Sequence, residues 1–106
     1  MNNNRSLVLV TGATGFLGRR IAAVLLEHGY RVRGLVRKTS QTKPLERMNV
    51  ELAVGDIVDR SSMEPAFDGV DAVVHAAADT SGAGSDITFQ GTRNILALCR
   101  KTRVQK

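Results

Sequence analysis

The sequence has one cysteine, few aromatic residues and no long apolar run, and each scarcity excludes a class of protein. The single cysteine, Cys99, excludes an internal disulfide and a cysteine-rich metal site, and it favours a reducing compartment. Three phenylalanines, one tyrosine and no tryptophan are too few for a nucleic-acid platform built on base stacking. No apolar run approaches membrane-spanning length, and the polar start MNNNRS lacks the pattern of a signal peptide. We expect a cytoplasmic protein with no metal site and no membrane contact.

The charge balance of the chain is basic. There are 15 lysine and arginine residues against 10 aspartate and glutamate residues, which gives a formal net charge of +5. This excess favours anionic partners, and a dinucleotide phosphate satisfies it as well as a nucleic acid does. Because the basic residues are scattered and form no long run, nucleic-acid binding is a weak interpretation. The length of 106 residues predicts a single domain over residues 1–106.

Short apolar segments alternate along the chain with segments of helical periodicity. Strands are predicted at residues 7–10, 31–36, 50–54 and 71–75. Helices are predicted from Phe16 to a left-handed cap at Gly29, briefly within residues 39–48, after Asp59 or Ser61, and from about Asp86 to Arg103. This alternation predicts an α/β fold with a doubly wound parallel sheet.

Apolar spacing also predicts which helix faces are buried. The stripe on the first long helix comprises Leu17, Ile21, Val24 and Leu25. The inward face of the last helix comprises Ile87, Gly91, Ile95, Leu98 and Cys99. On such a face the Cys99 thiol is expected to be inert core. Pro65 restricts the helix before it to a short or distorted one.

Three glycines follow the first predicted strand directly and lead into the first helix. Gly12, Gly15 and Gly18 have the spacing G-x-x-G-x-x-G. The first glycine permits a sharp turn, the second lets backbone approach a pyrophosphate, and the third lets the helix pack closely. The N–H groups at the start of the helix then face the phosphate charge. Because a strand precedes the motif and a helix follows it, the motif predicts dinucleotide binding over an ordinary turn.

Five segments in a fixed order resemble a known family. They are TGATGFLG, VRGLVRK, GDIVD, VVHAAA and GTRN, which extend from the first strand to the last helix. In this order they resemble the extended short-chain dehydrogenase/reductase family, the NAD-dependent epimerase/dehydratase group. That group includes sugar-nucleotide epimerases and dihydroflavonol-reductase-like enzymes. The resemblance implies a Rossmann-like sheet of about four strands in the order 3-2-1-4, incomplete relative to the family, and an NAD(P) cofactor.

The resemblance implies cofactor contacts at the ends of the first and fourth strands. Around the glycines Gly12 and Gly18, the backbone groups that face the pyrophosphate are those of Thr14, Gly15, Phe16 and Leu17. Small residues that let the ribose and the nicotinamide pass close to the backbone are Ala76, Ala77 and Ala78. His75, which precedes them, is expected to be packed and hydrogen-bonded structurally and is not assigned to proton transfer.

The end of the second strand indicates which cofactor is preferred. NAD-preferring family members place an acidic residue here, on the adenosine ribose, whereas this chain has Arg37 followed by Lys38. A guanidinium group suits a 2′-phosphate, which a carboxylate would repel. The alternative is a solvated strand end, where arginine is common. We predict NADP as the cofactor in preference to NAD.

Asp56 and Ile57 match the adenine-binding pair of the family. In that pair the carboxylate accepts from the adenine amino group, and the Ile57 N–H donates to a ring nitrogen. An equal alternative is that Asp56 is a turn or cap residue after Gly55. The last motif departs from the family, because Thr88 stands where the first asparagine of N-V-x-G-T-x-N is usual. Thr88 presents no amide, so it is assigned no role.

Catalytic residues of the family are missing from the sequence. The family uses a Tyr-x-x-x-Lys pair, but the residue four positions after Tyr30 is Gly34, and no catalytic residue is assigned. We expect the cofactor-binding part of an NADP-preferring epimerase or reductase, truncated relative to the whole enzyme and not catalytic by itself. The alternative is a non-catalytic dinucleotide-binding scaffold or regulatory protein. It would pair through the open edge of its fourth strand with itself or with a partner chain.

Overall fold

The computed structural model describes residues 6–38, 42–76 and 91–99. Its centre is a sheet of four parallel strands in the order β3-β2-β1-β4. The strands are β1 (Leu7–Thr11), β2 (Arg31–Val36), β3 (Glu51–Val54) and β4 (Ala72–His75). The predicted strands and their order are confirmed. The first is one residue longer than predicted, and the third and fourth each begin one residue later.

β1 lies inside the sheet and is buried along its whole length. Its side chains alternate between two cores, as a strand covered on both faces requires. Leu7 and Leu9 belong to the core on one face, and Val8 and Val10 belong to the core on the other. Neither Leu9 nor Val10 has any exposed surface. Burial of both faces of the strand therefore explains the apolar run from which the strand was predicted.

Helices cover both faces of the sheet. They are α1 (Phe16–Glu27), α2 (Lys43–Arg47), α3 (Arg60–Met63) with a 3₁₀ turn at Glu64–Phe67, and α4 at residues 91–99. α1 and α2 supply Ala22 and Leu45 to the core that contains Val8. α3, the 3₁₀ turn and α4 supply side chains to the other core, so the doubly wound arrangement is confirmed. No helix in the described ranges combines the length and apolar character needed to cross a bilayer.

The buried face of α1 differs from the predicted stripe. Ile21 and Leu25 pack against the core, but Leu17 is 60% exposed and Val24 is 48% exposed, so the prediction is wrong at those two positions. Gly18 and Ala22 are buried in their place. The start of α1 lies close to the loop before it. This contact turns the small residues of the helix toward the core and leaves the larger side chains outside.

The helix ends follow the predicted signals with one correction. α1 ends at Glu27, and Gly29 has a φ of +87°, as predicted for its left-handed cap. Asp59 is the N-cap of α3 and accepts from the Ser62 N–H, so the alternative cap at Ser61 is wrong. Beyond α3 the chain tightens into the 3₁₀ turn that contains Pro65, which confirms a short and distorted helix.

α4 is the described part of the last predicted helix. Gly91, Ile95 and Leu98 are buried, and the half-buried Cys99 packs against the same core. Burial raises the pKa of the Cys99 thiol above its ordinary value, which fits an unreactive core cysteine. Ile87 and both predicted ends of this helix lie outside the described residues. The first residues of the segment 39–48, in which a short helix was predicted, lie outside them as well.

Hydrogen bonds through His75 join β1, β4 and α4. Its Nδ1 lies 2.6 Å from the Thr11 hydroxyl, and its Nε2 lies 3.1 Å from the Thr92 hydroxyl. Thr11 is completely buried, and burial lowers the pKa of His75 below its ordinary value of 6.5. The predicted structural role of His75 therefore agrees with the observed contacts.

Gly18 lies where α1 meets the end of β1. A Cβ added to Gly18 would lie 2.0 Å from the Gly12 carbonyl oxygen and 2.9 Å from the Cα of Ala13. A Cβ added to Gly15 would meet only the Gly12 oxygen, at an ordinary 3.4 Å. Gly18 is therefore needed for packing, whereas Gly15 is not.

We predict that Gly18→Ala destabilises the protein and that Gly15→Ala does not. The alanine at position 18 would press on backbone atoms that cannot move aside, which should lower the free energy of unfolding by about 3 kcal/mol. Urea denaturation followed by circular dichroism measures both variants. Equal midpoints for the two variants would contradict the close contact at Gly18.

We also predict that His75 makes stability fall in mild acid. Because folding lowers the pKa of His75, the unfolded chain binds more protons once the pH falls below about 6.5. Unfolding is therefore favoured as the pH drops from there through the folded-state pKa. Urea midpoints measured from about pH 8 to about pH 5.5 should fall more steeply in the native protein than in His75→Gln. The control is His28→Gln, which removes the other histidine of the chain and retains His75.

Candidate functional site

The predicted site residues meet at one edge of the sheet. All four strands are parallel, so the segments after them leave from the same, carboxyl edge. These segments are the glycine loop after β1, Arg37–Lys38 after β2, Asp56–Ile57 after β3 and Ala76 after β4. β1 pairs with β2 along one of its edges and with β4 along the other, so the chain continues in opposite directions within the sheet from this strand. Doubly wound folds bind ligands outside the carboxyl edge at this kind of switch point.

The glycine loop brings the start of α1 to that edge without any side-chain cap. Gly12 has a φ of +67°, and the Gly15 N–H donates to its carbonyl oxygen at 3.0 Å, which closes a tight turn. Gly15 is the N-cap of α1 and has no side chain with which to cap the helix. The first turn of the helix contains no acidic residue. The first N–H groups of a helix have no partner within the helix and carry partial positive charge. This terminus can therefore accept an anion.

Residues along the loop differ in how they contribute. Gly15 is exposed, so its backbone is accessible from solvent, while Phe16 is 80% exposed and Leu17 is 60% exposed. Thr14 is half-buried. Gly18 is buried, which assigns it to the packing of the helix on the loop. A side chain at Gly15 would add bulk to the loop that the backbone forms here.

Arg37 and Lys38 are both exposed at the end of β2. They follow Val36, which is buried and whose carbonyl oxygen accepts from the Gly55 N–H at 2.9 Å. The strand therefore anchors the backbone up to the point where the two cations begin. Two positive charges and no carboxylate occupy this strand end.

The turn after β3 uses part of Asp56 and leaves part of it available. Asp56 Oδ1 accepts from the Val58 N–H at 3.1 Å, and the Asp56 carbonyl oxygen accepts from the Asp59 N–H at 2.9 Å. The Asp56 N–H donates to the Ser62 hydroxyl oxygen at 2.9 Å. Within the described part of the chain, Asp56 Oδ2 and the Ile57 N–H have no partner. Asp56 is thus a turn residue, and its bonds to the described residues use neither its own Oδ2 nor the neighbouring Ile57 N–H, the two groups that an adenine contact would need.

Asn94 also holds this turn, and sequence reasoning missed it. Its side-chain Nδ2 donates to the Ile57 carbonyl oxygen at 2.8 Å. The motif GTRN that contains Asn94 was visible in the sequence, but nothing in one sequence shows that it reaches a turn 37 residues away. Ser62, which follows Asp56 within the same segment and accepts from its N–H, was also missed.

At the end of β4 the described chain stops at Ala76, a half-buried residue whose N–H donates to the Thr11 carbonyl oxygen at 3.3 Å. Ala77, Ala78 and Thr88 lie outside the described residues. Both ring nitrogens of His75 are engaged with hydroxyl groups, so the histidine is not available as a free proton carrier.

A groove of about 210 Å³ separates α1 from α2 beside the loop. It is lined by Phe16, Arg19, Arg20, Ala23, Pro44 and Met48. The two arginines add positive charge near the start of α1. In the described ranges, no three His, Cys, Asp or Glu side chains come together as a metal site would require.

Comparison with known proteins gives a consistent match. The model of the NAD dependent epimerase/dehydratase family matches residues 8–106. Sterol demethylase protein B of Methylococcus capsulatus is 36% identical over 104 residues, which cover 92% of this chain and 32% of that protein. The bifunctional dihydroflavonol 4-reductase/flavanone 4-reductase of Malus domestica is 30% identical over 118 residues, which cover 97% of this chain and 34% of that protein.

A solved structure gives the same result. The crystal structure of UDP-glucose 4-epimerase from Bifidobacterium longum, in complex with NAD+ and UDP, has a TM-score of 0.83 and 28% identity. The match covers 93% of this chain and 35% of that one. The chain spans about a third of the length of the curated relatives it matches. The family match takes in nearly all of the sequence, and the sheet order agrees with the one that the resemblance implies. The chain therefore belongs to the NAD-dependent epimerase/dehydratase family.

Proposed function

We propose that this chain binds NADP at the carboxyl edge of its sheet and is the cofactor-binding part of an NADP-preferring reductase or epimerase. The observation that carries the proposal is the uncapped start of α1 behind the glycine loop, with no carboxylate in its first turn. This is the arrangement that backbone N–H groups need to hold a pyrophosphate. When bound, the dinucleotide supplies a hydride donor or acceptor.

The preference for NADP rests on the two cations after β2. The 2′-phosphate of NADP is an anion, and Arg37 offers it a fork of N–H donors in an exposed position. An NAD-selective site places a carboxylate here to accept from the 2′-hydroxyl, and that carboxylate would repel the phosphate. Arg37 and Lys38 attract the phosphate and offer the hydroxyl no acceptor of that kind.

The adenine end of the cofactor is assigned to the turn after β3. Asp56 Oδ2 would accept from the adenine amino group, and the Ile57 N–H would donate to a ring nitrogen. Both groups are half-buried and lack a partner within the described part of the chain. The hydrogen bonds that hold the rest of the turn keep these two groups in place.

Proton transfer to or from a substrate is not assigned to this chain. The single tyrosine, Tyr30, precedes β2 and so lies at the amino edge of the sheet, opposite the glycine loop. His75 is engaged on both ring nitrogens. Cofactor binding is therefore the role that we propose for these residues, and hydride chemistry on a substrate would need a general acid from elsewhere. Self-association through the outer edge of β4 stays a prediction.

We expect Gly15→Val to weaken NADP binding at least about tenfold, because the new side chain would stand where the pyrophosphate approaches the backbone. Isothermal titration with NADP measures the loss, and the urea midpoint checks that the variant is folded. Val24→Ala, an exposed position further along α1, is the control and should bind as the native chain does. Unchanged affinity in Gly15→Val would remove the loop from the site.

We expect Arg37→Asp to reverse the cofactor preference. Loss of the charged hydrogen bonds should raise the dissociation constant for NADP about tenfold to a hundredfold, while the new carboxylate improves binding of NAD. The control is Arg31→Asp, which makes the same charge change at the amino end of the same strand. The ratio of the two dissociation constants should change in the first variant and stay constant in the control. An unchanged ratio in Arg37→Asp would refute the role of this side chain.

A further inference from the structure

Asn94 on α4 contacts both the turn between β3 and α3 and the first residue of α3. Its Nδ2 donates to the Ile57 carbonyl oxygen at 2.8 Å, and its Oδ1 accepts from Arg60 Nε at 3.4 Å. Ile57 lies in the segment that links Asp56 to α3, and Arg60 is the first residue of α3. An amide side chain suits this position because it offers a donor and an acceptor on one short, rigid group. α4 thus holds a turn that is distant in sequence.

The absence of a side chain at Gly91 brings α4 close to this turn. A Cβ at Gly91 would lie 2.5 Å from Ile57 Cδ1 and 3.0 Å from its Cγ1. Gly91 and Asn94 are three residues apart and therefore share one face of the helix. The same face provides an open position for the Ile57 side chain and a donor for the Ile57 carbonyl. Ile57 is consequently fixed both by packing and by a hydrogen bond.

These contacts leave the turn with little freedom. The Asp56 N–H, its carbonyl oxygen and its Oδ1 are all engaged within the segment from Asp56 to Ser62. The Ile57 carbonyl oxygen is held from outside the segment, by Asn94. The two peptide groups that flank the Ile57 Cα rotate about it, so fixing the carbonyl limits where the Ile57 N–H points. The turn is preorganised by a side chain from another element.

We propose that Asn94 is a positioning residue for the adenine end of the dinucleotide. It orients the Ile57 N–H and, through the turn, Asp56 Oδ2, while it makes no contact with the base itself. This inference rests on the proposed function, because it presumes that the turn binds adenine. Without the Asn94 donor the turn keeps its internal hydrogen bonds but can change its orientation. The Ile57 N–H and Asp56 Oδ2 are then misaligned with the base.

The test compares two dinucleotides in the same variants. NADP carries adenine, whereas nicotinamide hypoxanthine dinucleotide phosphate has a carbonyl in place of the 6-amino group and a proton on the adjacent ring nitrogen. Hypoxanthine therefore has an acceptor at the position where adenine offers its amino donor to Asp56, and a donor at the position where adenine offers a ring nitrogen to the Ile57 N–H. Any contribution of Asn94 that passes through these two contacts is absent with the analogue. A general loss of folded protein affects both ligands equally.

We expect Asn94→Ala and Asn94→Asp to raise the dissociation constant for NADP about tenfold, as loss of well-oriented hydrogen bonds does. The dissociation constant for the hypoxanthine analogue should change less than about twofold. Asn94→Asp retains the shape of the side chain and its acceptor for Arg60 but lacks the donor to Ile57. Leu96→Ala, an exposed position on the same helix, is the control and should leave both constants unchanged. Isothermal titration with each dinucleotide provides the measurements.

Three results would overturn this inference. Equal weakening of both dinucleotides would show that Asn94 only supports the fold, and an unchanged constant for NADP would show that the turn does not need it. Native protein that binds NADP no better than the analogue would remove adenine recognition from the turn while leaving pyrophosphate binding intact. Native protein that binds neither dinucleotide would instead refute the proposed function, and the inference with it. Because the ratio of the two constants does not depend on the folded fraction, a partly unfolded variant still decides between these outcomes.

Discussion

The burial of β1 on both faces is the constraint on which the rest of the structure depends. Its alternating side chains complete two separate cores, one beneath α1 and α2 and the other beneath α3 and α4. A shift of one residue in its register would exchange the two sets of side chains between the cores. The strand is therefore held in one position, and the loop that begins at Gly12 starts from a fixed point. The uncapped helix terminus can act as an anion site because its distance from the sheet is set in this way.

Each segment that follows a strand at the carboxyl edge presents a different kind of chemical group. The loop after β1 presents backbone N–H groups, the end of β2 presents cations, and the turn after β3 presents one carboxylate oxygen and one N–H group. The turn depends on α4, because Asn94 and Gly91 fix Ile57 from the far side of the connection. Recognition of a base would thus be supported by a helix that lies 34 or more residues further along the chain.

Much of the fold could be predicted because its signals are local. Buried strands of a parallel sheet are short apolar runs, and Gly29 and Pro65 mark helix limits through backbone chemistry that does not depend on neighbours. The buried face of α1 could not be predicted correctly. Apolar spacing favoured Leu17 and Val24, but the tight contact between Gly18 and Gly12 turns a face of small residues inward. A steric contact between backbone segments leaves no mark in apolar periodicity.

The candidate site was predictable in its parts and not in how they are held. Glycine spacing and family motifs indicated the loop, Arg37 and Asp56, because each is a local pattern. Asn94 was missed, because its importance lies in a hydrogen bond to a group that only the fold brings near. Asp56 has the turn role through one carboxylate oxygen, and its ligand role stays a prediction.

The exposure of Arg37 and Lys38 has a consequence for how such a protein can diverge. Both side chains lie on the surface immediately after the buried Val36, so neither contributes to a core. Surface substitutions away from packed contacts usually change stability by no more than about 0.5 kcal/mol. Under the proposed function, a lineage could exchange NADP for NAD through this dipeptide, because neither side chain lies in a core. Base recognition at the turn would then be harder to change, because the turn and α4 contact each other and would have to change together.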